Sequence, residues 1–473
     1  MKRIGSWLLR IVVGAAVLVV LFHGVENWRG RRAWEGWKRS RMALGDRFEG
    51  PMPPPVVPDA ENFAAVPEIA RAVKSDGPAF PSIPNVPGQF QMGPGWRLGS
   101  HEDLDAWAKA FQAPDLTQAL TPASKSLEIL AAASRRPRCS LPYDAGKGEL
   151  PALLGFRSAG KVLRLRALDH LAHGRVIEAR EDVVTLLRIA HHLESDATLI
   201  SALLNASILQ MALQPLWEGI ADHRWRDEDL HILQEELGRV DLIRTFDRAW
   251  SQERMYAVGP GPQSFETFAN RPFWSRGEDL AVMVFDAREH DWLRYPLGLA
   301  IPSGWIYQNL VARDRFWVEQ MKPCLDPSGH RYYPDRAKSA SDFVERETSK
   351  GWRPYHWLAD ISFPALLGQN RKVALVQTGL DQARVACALE RHHIARGAYP
   401  ESLGELIPNY LETLPTDIPA GGVLRYKREG QGYALYSIGV NGKDDGGRTV
   451  ELAKNPAAID PDEGDWVWRI PGK

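Results

Sequence analysis

Between Ile4 and Val25 the chain runs 22 residues with a single charge, Arg10, and Ile11–Phe22 is wholly apolar. At 1.5 Å per residue that stretch makes a helix of about 33 Å, long enough to cross a bilayer core. Lys2 and Arg3 precede it, as in a signal peptide, but no small-x-small cleavage site follows Phe22. The pattern therefore predicts an uncleaved anchor over residues 1–28. Beyond it, Glu26–Arg41 holds six bases (Arg29, Arg31, Arg32, Lys38, Arg39, Arg41) and two acids, interleaved with Trp28, Trp34 and Trp37. Bases alternating with indoles predict an interfacial helix lying on anionic headgroups. By charge bias alone the bulk of the protein belongs in the cytoplasm.

Lys plus Arg number 58 and Asp plus Glu 59, so no global field favours nucleic acid, which is excluded as a partner. Cys139, Cys324 and Cys387 are three and far apart, so their spacing writes neither a disulfide framework nor a zinc ribbon. Residues 29–100 form a basic juxtamembrane segment and a linker. Gly50–Pro58 is proline-rich, and Pro78, Pro81, Pro84 and Pro87 recur at the three-residue period of polyproline II. Asn62–Lys74 is expected as one short helix.

Residues 101–370 read as an α-helical body. Pro122–Ser134, Leu150–Ala172, Arg175–Glu194, Ala197–Ile220, Asp227–Gly238 and Asp241–Val258 carry apolar residues at three and four spacing. Asp227 is the expected cap of the fifth. Short links predict antiparallel neighbours in a hairpin stack, and His173–Ala190 resembles the second helix of tetratricopeptide-like hairpins in packing style. Arg271–Gln369 is aromatic-rich and less periodic, with helices expected from Ser303 to Met321 and from Ser339 to Ser349.

Several motifs fail on context. Gly155–Val162 nearly fits a phosphate-binding loop, but Val162 replaces the magnesium hydroxyl and no strand precedes it. Ser158 and Lys161 make an SxxK pair without companion motifs. His191–His192 and His392–His393 are adjacent residues, about 100° apart on a helix, so neither pair chelates alone.

Residues 371–473 carry the most specific pattern. Lys372–Arg396 is apolar on two sides, which predicts a helix sandwiched between its own sheet and the helical body. Val423–Arg428 and Tyr433–Ser437 alternate around a Gly-containing turn, a hairpin signal. Asp444–Asp465 then contains seven acids and two bases. Oxygen donors on glycine-rich turns suit a hard cation. The candidate ligands are Asp444, Asp445, Asp462 and Asp465, with Ile438 through its backbone, and the candidate metal is structural calcium.

The order helix, Gly397-Ala398-Tyr399-Pro400 exit, Leu414-Pro415 with Asp417, strand end Tyr436-Ser437 with Gly439, then Gly442, Asp444, Asp445 and Asp465-Trp466 resembles the globular part of type II secretion major pseudopilins. That resemblance implies a long helix on a small antiparallel sheet, closed by a calcium loop. In pseudopilins the hydrophobic helix continues into the globular one, whereas here residues 29–370 intervene. As a whole the chain resembles bacterial single-pass membrane proteins with the same anchor, helical body and Gly464–Arg469 tail, which imply no activity.

The sequence thus predicts a mainly α chain: an N-terminal transmembrane helix, an α-helical hairpin body and a C-terminal α+β pseudopilin-like module. A low-affinity calcium loop suits millimolar calcium, which places the C-terminal bulk in the periplasm of a bacterial inner-membrane protein. The expected role is a non-catalytic envelope scaffold or binding protein whose partners are membrane lipid and envelope proteins. The alternatives are a hydrolytic enzyme with its site in the helical body and an accessory component of a secretion machine.

Overall fold

The structure is a computed structural model and describes residues 2–49, 55–74, 80, 99–142, 152–258, 264–272, 300–351, 353–452 and 455–472. The proline-spaced stretch from Pro78 to Pro87 lies outside them, Phe80 excepted. The described helices are α1 (Lys2–Met42), α2 (Pro67–Val73), α3 (Leu104–Ala110), α4 (Leu116–Leu120), α5 (Ser124–Ser134), α6 (Leu154–Ala172), α7 (Val176–Leu193), α8 (Leu199–Ala221), α9 (Asp227–Gly238), α10 (Leu242–Val258), α11 (Phe265–Asn270), α12 (Ser303–Phe316), α13 (Pro334–Thr348), α14 (Trp357–Leu367) and α15 (Gln369–Arg396). The fold is mainly helical, with small antiparallel sheets at its C-terminal end.

The body is built as the periodicity predicts. α6, α7 and α8 pack on one another as successive hairpins, and α8 is the central helix, buried along almost its whole length. Among the described residues two helices are long and apolar enough to cross a membrane, α1 and α8. Most of α8 faces the protein interior, so its hydropathy is that of a core element.

Local chemistry moves several boundaries. Asp227 is the first helical residue of α9 and not its cap; the Asp229 carboxylate accepts the Arg226 amide at 3.2 Å instead. Pro334 at the first helical position starts α13 five residues before the expected Ser339, because proline needs no amide partner there. The helix from Ser303 is α-helical to Phe316 and passes through a π turn, Trp317–Met321.

α15 lies against α8, α9 and α10 on one side and against the C-terminal sheet on the other. That sheet has the order β3 (Arg425–Glu429), β4 (Gly432–Ser437) and β7 (Trp466–Ile470), all antiparallel. Two short pairs stand apart: β1 (Leu325–Asp326) with β2 (Arg331–Tyr332), and β5 (Thr449–Leu452) with β6 (Asn455–Gly464). Gly397 ends α15 at φ 74°, a left-handed cap that glycine adopts without a Cβ penalty.

α1 departs most from expectation. It is one helix of 41 residues, and one face of its basic second half packs into the body. Trp34 is fully buried, and Trp37 donates to Asp314 at 2.7 Å. Arg254 holds the same buried carboxylate and pairs with Asp46, which also takes Arg41. Glu26 accepts from Arg29, Trp305 and Tyr355, and Asn27 Oδ1 accepts from Ser303 Oγ and the Gly304 amide, capping α12 from another helix. The partners of Glu26, Asn27 and Trp37 on α12 and at Tyr355 lie 276 to 329 positions away, which is why the sequence pattern reads as surface chemistry. The crossing is close enough that a Cβ on Gly30 or Gly304 would overlap the opposing backbone.

A second clasp ties the β1–β2 turn to the body. His330 places Nδ1 3.4 Å from Asp241 and Nε2 3.5 Å from Asp381 on α15. Arg244 lies beside Asp241, and Gln377 and Arg384 beside Asp381. Burial opposes charge on the imidazole, but hydrogen bonds to the two carboxylates outweigh it and push His330 up to about 10.

Two outcomes follow from these contacts. Gly304→Leu forces overpacking at the crossing and is expected to cost at least about 3 kcal/mol in thermal unfolding of the detergent-solubilised chain. Gly24→Leu, on the same helix with open space around it, is expected to leave the melt unchanged. The His330 ion pairs contribute fully below the unfolded value of about 6.5 and lose that contribution as pH rises toward 10. His330→Gln should therefore be destabilised most at pH 6, with the gap to the parent chain narrowing by pH 10 in urea unfolding.

Candidate functional site

The acidic loop begins where β4 ends. Ser437 Oγ donates to Asp417 Oδ1 at 2.6 Å and accepts the Gly439 amide at 3.1 Å, both side chains being buried. The Ile438 amide donates to the other Asp417 oxygen at 3.4 Å, so Asp417 anchors the start of the loop. Asp465, buried before β7, closes the far end: its carboxylate accepts the amides of Gly447 at 2.7 Å and Asp445 at 3.3 Å. Gly446 and Gly447 have φ of 71° and 79°, which turns the backbone around Asp465. Asp444 accepts from Tyr436 and from the Gly446 amide, and Asp445 from Asn441.

Burial pushes Asp465 up, and the like charges of Asp444 and Asp445 add to the shift against the two amide bonds. Three of the expected ligands are thus gathered around one turn. Asp462 is not among them, because on β6 it pairs with Arg371.

Two adjoining cavities of about 590 and 690 Å³ flank the C-terminal end of α7 and share His191, His192 and Pro137. Several of their titratable residues are committed to the fold. His192 is buried, donates Nε2–H to the Ser134 carbonyl at 3.0 Å, stacks on Phe63 and is lowered to about 4 by burial. His191 is raised, first by its hydrogen bond to Glu194. Burial pushes the Cys139 thiol up to about 11, away from the thiolate that reacts. Arg188 is spent on Glu236 at 2.9 and 2.7 Å.

A different cluster, missed from the sequence, joins α8 to the last turns of α15. His223, just beyond α8 with φ 52°, sets Nδ1 2.7 Å from Glu390 Oε1. Glu390 is 1% exposed and also accepts from the Tyr399 hydroxyl at 2.6 Å. The His393 ring stacks between His223 and Tyr399, at 4.9 and 4.7 Å between centroids. Burial lowers His393. The ligand-capable atoms of His223, Glu390 and His393 all lie within 4.8 Å of one another, the one such trio of His, Cys or acidic residues among the described residues. Glu390 and His393 stand at i, i+3 in the sequence, which was the available signal. His223 lies 167 positions away, where no spacing rule reaches.

No protein-family model, curated protein or solved structure matches the chain.

The loop geometry separates its acids by effect. Asp465→Ala leaves two amides without acceptors, one of them buried, and is expected to cost about 2–4 kcal/mol of stability. Asp462→Ala removes one exposed partner of a surface pair and should cost no more than about 1 kcal/mol. Chemical denaturation of both variants beside the parent chain checks the ranking.

Proposed function

We propose that the protein is a single-pass, membrane-anchored, non-catalytic scaffold or binding protein of the bacterial envelope, with its C-terminal bulk in the periplasm. The observation that carries this reading is the division of α1. From Ile11 to Val25 its large apolar side chains are exposed, whereas from Glu26 onward it is locked into the body. An exposed run of Val, Leu, Ile and Phe on one helix is stable in hydrocarbon and costly in water. Because the same helix is embedded in the body, the anchor also holds the body at the membrane face.

The C-terminal unit serves as the rigid end of that scaffold. Support for a pseudopilin-like role comes from the Gly397–Pro400 exit and from the Tyr436-Ser437 strand end that leads into the acidic loop. Calcium at Asp444, Asp445 and Asp465 would relieve the mutual repulsion that adds to the upward shift of Asp465.

A periplasm-active reporter fused after Lys473, with carbonate extraction of membranes, tests anchoring and orientation. The expected result is reporter activity in a carbonate-resistant membrane fraction; a cytoplasmic readout or release by carbonate overturns the reading. Calcium is expected to raise the melting temperature of the full chain, and the rise to vanish in the Asp444→Ala, Asp445→Ala double variant. Turnover of ester or peptide substrates that disappears in His191→Ala would replace the scaffold with the hydrolase alternative.

A further inference from the structure

We infer that His223, Glu390 and His393 form a binding site for one divalent transition metal, zinc by the chemistry of the donors, with its remaining position open to water. Two imidazoles and one carboxylate suit zinc, which takes such sets in four-coordinate sites with bonds of about 2.0–2.2 Å. Tetrahedral geometry with those bonds puts ligand atoms about 3.3 Å apart. His223 Nδ1 and Glu390 Oε1, now at 2.7 Å, need to open slightly. His393 lies inside 4.8 Å of both and closes by side-chain rotation.

The supports are already in place. Glu390 and His393 project from successive turns of one helix face, and the Gly397 cap fixes the end of that helix. Tyr399 donates to the carboxylate oxygen that His223 does not use, which orients Glu390 as an outer-shell partner does. Among the described residues the His393 ring makes stacking contacts and no hydrogen bond, so its ring nitrogens are uncommitted. His223 is 44% exposed, which gives the metal a route in from solvent. Ligation through its Nδ1 requires that the proton it shares with Glu390 leave to water.

His392 does not belong to the site. Its Nδ1 lies 3.0 Å from the Ala398 carbonyl and its ring meets Tyr410, so only one member of the His392–His393 pair faces the cluster. A bound metal would join His223, two residues beyond α8, to the end of α15, which cross-links the helical body to the C-terminal unit.

The test uses full-length protein in detergent, stripped with chelator and then titrated with zinc, or with cobalt(II) as a visible reporter. One equivalent of zinc per chain is expected to survive gel filtration, and cobalt to give the intense d–d bands of a four-coordinate site. His393→Ala and His223→Asn, the latter keeping a residue tolerant of the left-handed backbone, should each weaken zinc binding by about 100-fold or more. Tyr399→Phe should weaken it about 10-fold, as loss of an outer-shell partner does. His392→Ala should bind as the parent chain does. Undiminished binding in both His223→Asn and His393→Ala, an equal loss in His392→Ala, or no zinc retained by the parent chain would overturn the assignment. Because His223 is at the surface, its variant reads out the site even where His393→Ala perturbs folding.

Discussion

Burial of α15 on two sides is the constraint on which the rest of the molecule depends. A helix with one apolar stripe can be peeled from its domain; one that packs on α8, α9 and α10 and on β4 and β7 cannot leave without opening both cores. Its polar residues are used in the same way. Gln377 Oε1 accepts the Leu242 amide at 2.8 Å, Asn370 accepts from Trp250 at 2.9 Å, and Gln382 donates to the Trp466 carbonyl at 2.6 Å. Each reaches a different neighbour, and each is buried where an unmade bond is expensive. Trp217 on α8 adds a bond to the Arg469 carbonyl on β7, so body and sheet share one cooperative structure.

α1 achieves by polar chemistry what α15 achieves by packing. The close approach at Gly30 and Gly304 removes side-chain bulk, and around it Asn27 and Glu26 accept hydrogen bonds from α12 and from Tyr355 while Trp37 donates to Asp314. Asp314, whose side chain has no exposed surface, would be prohibitive alone; the bidentate Arg254 and the Trp37 indole make it a keystone between α1, α10 and α12.

What could be read from the residues follows the range of the forces involved. The hairpins of the body, the two-sided α15, the Gly397 stop and the β3–β4 hairpin all rest on periodicity or on turn chemistry within a few residues, and each stands in the structure within a few positions. Charged residues were read worst. Lys38 and Trp37 looked like membrane-surface chemistry because Glu266 and Asp314 are neighbours in space alone. Asp462 looked like a companion of Asp465 and instead meets Arg371. At the cluster beside α15, Glu390 and His393 carried a legible i, i+3 spacing, while His223 joined them only through the stacking of α8 on α15.

The continuity of α1 has a mechanical consequence. An ordinary anchor joins its domain through a slack tether, and the two tilt independently. Here one unbroken helix is exposed at one end and clamped at the other, so in the membrane-anchored reading the body and the span share a single axis. A helix longer than the hydrocarbon layer accommodates thickness by tilting, and every degree of that tilt is carried to the body as a lever carries its load. The orientation of the C-terminal sheet relative to the bilayer normal is then fixed by lipid thickness rather than left to diffusion.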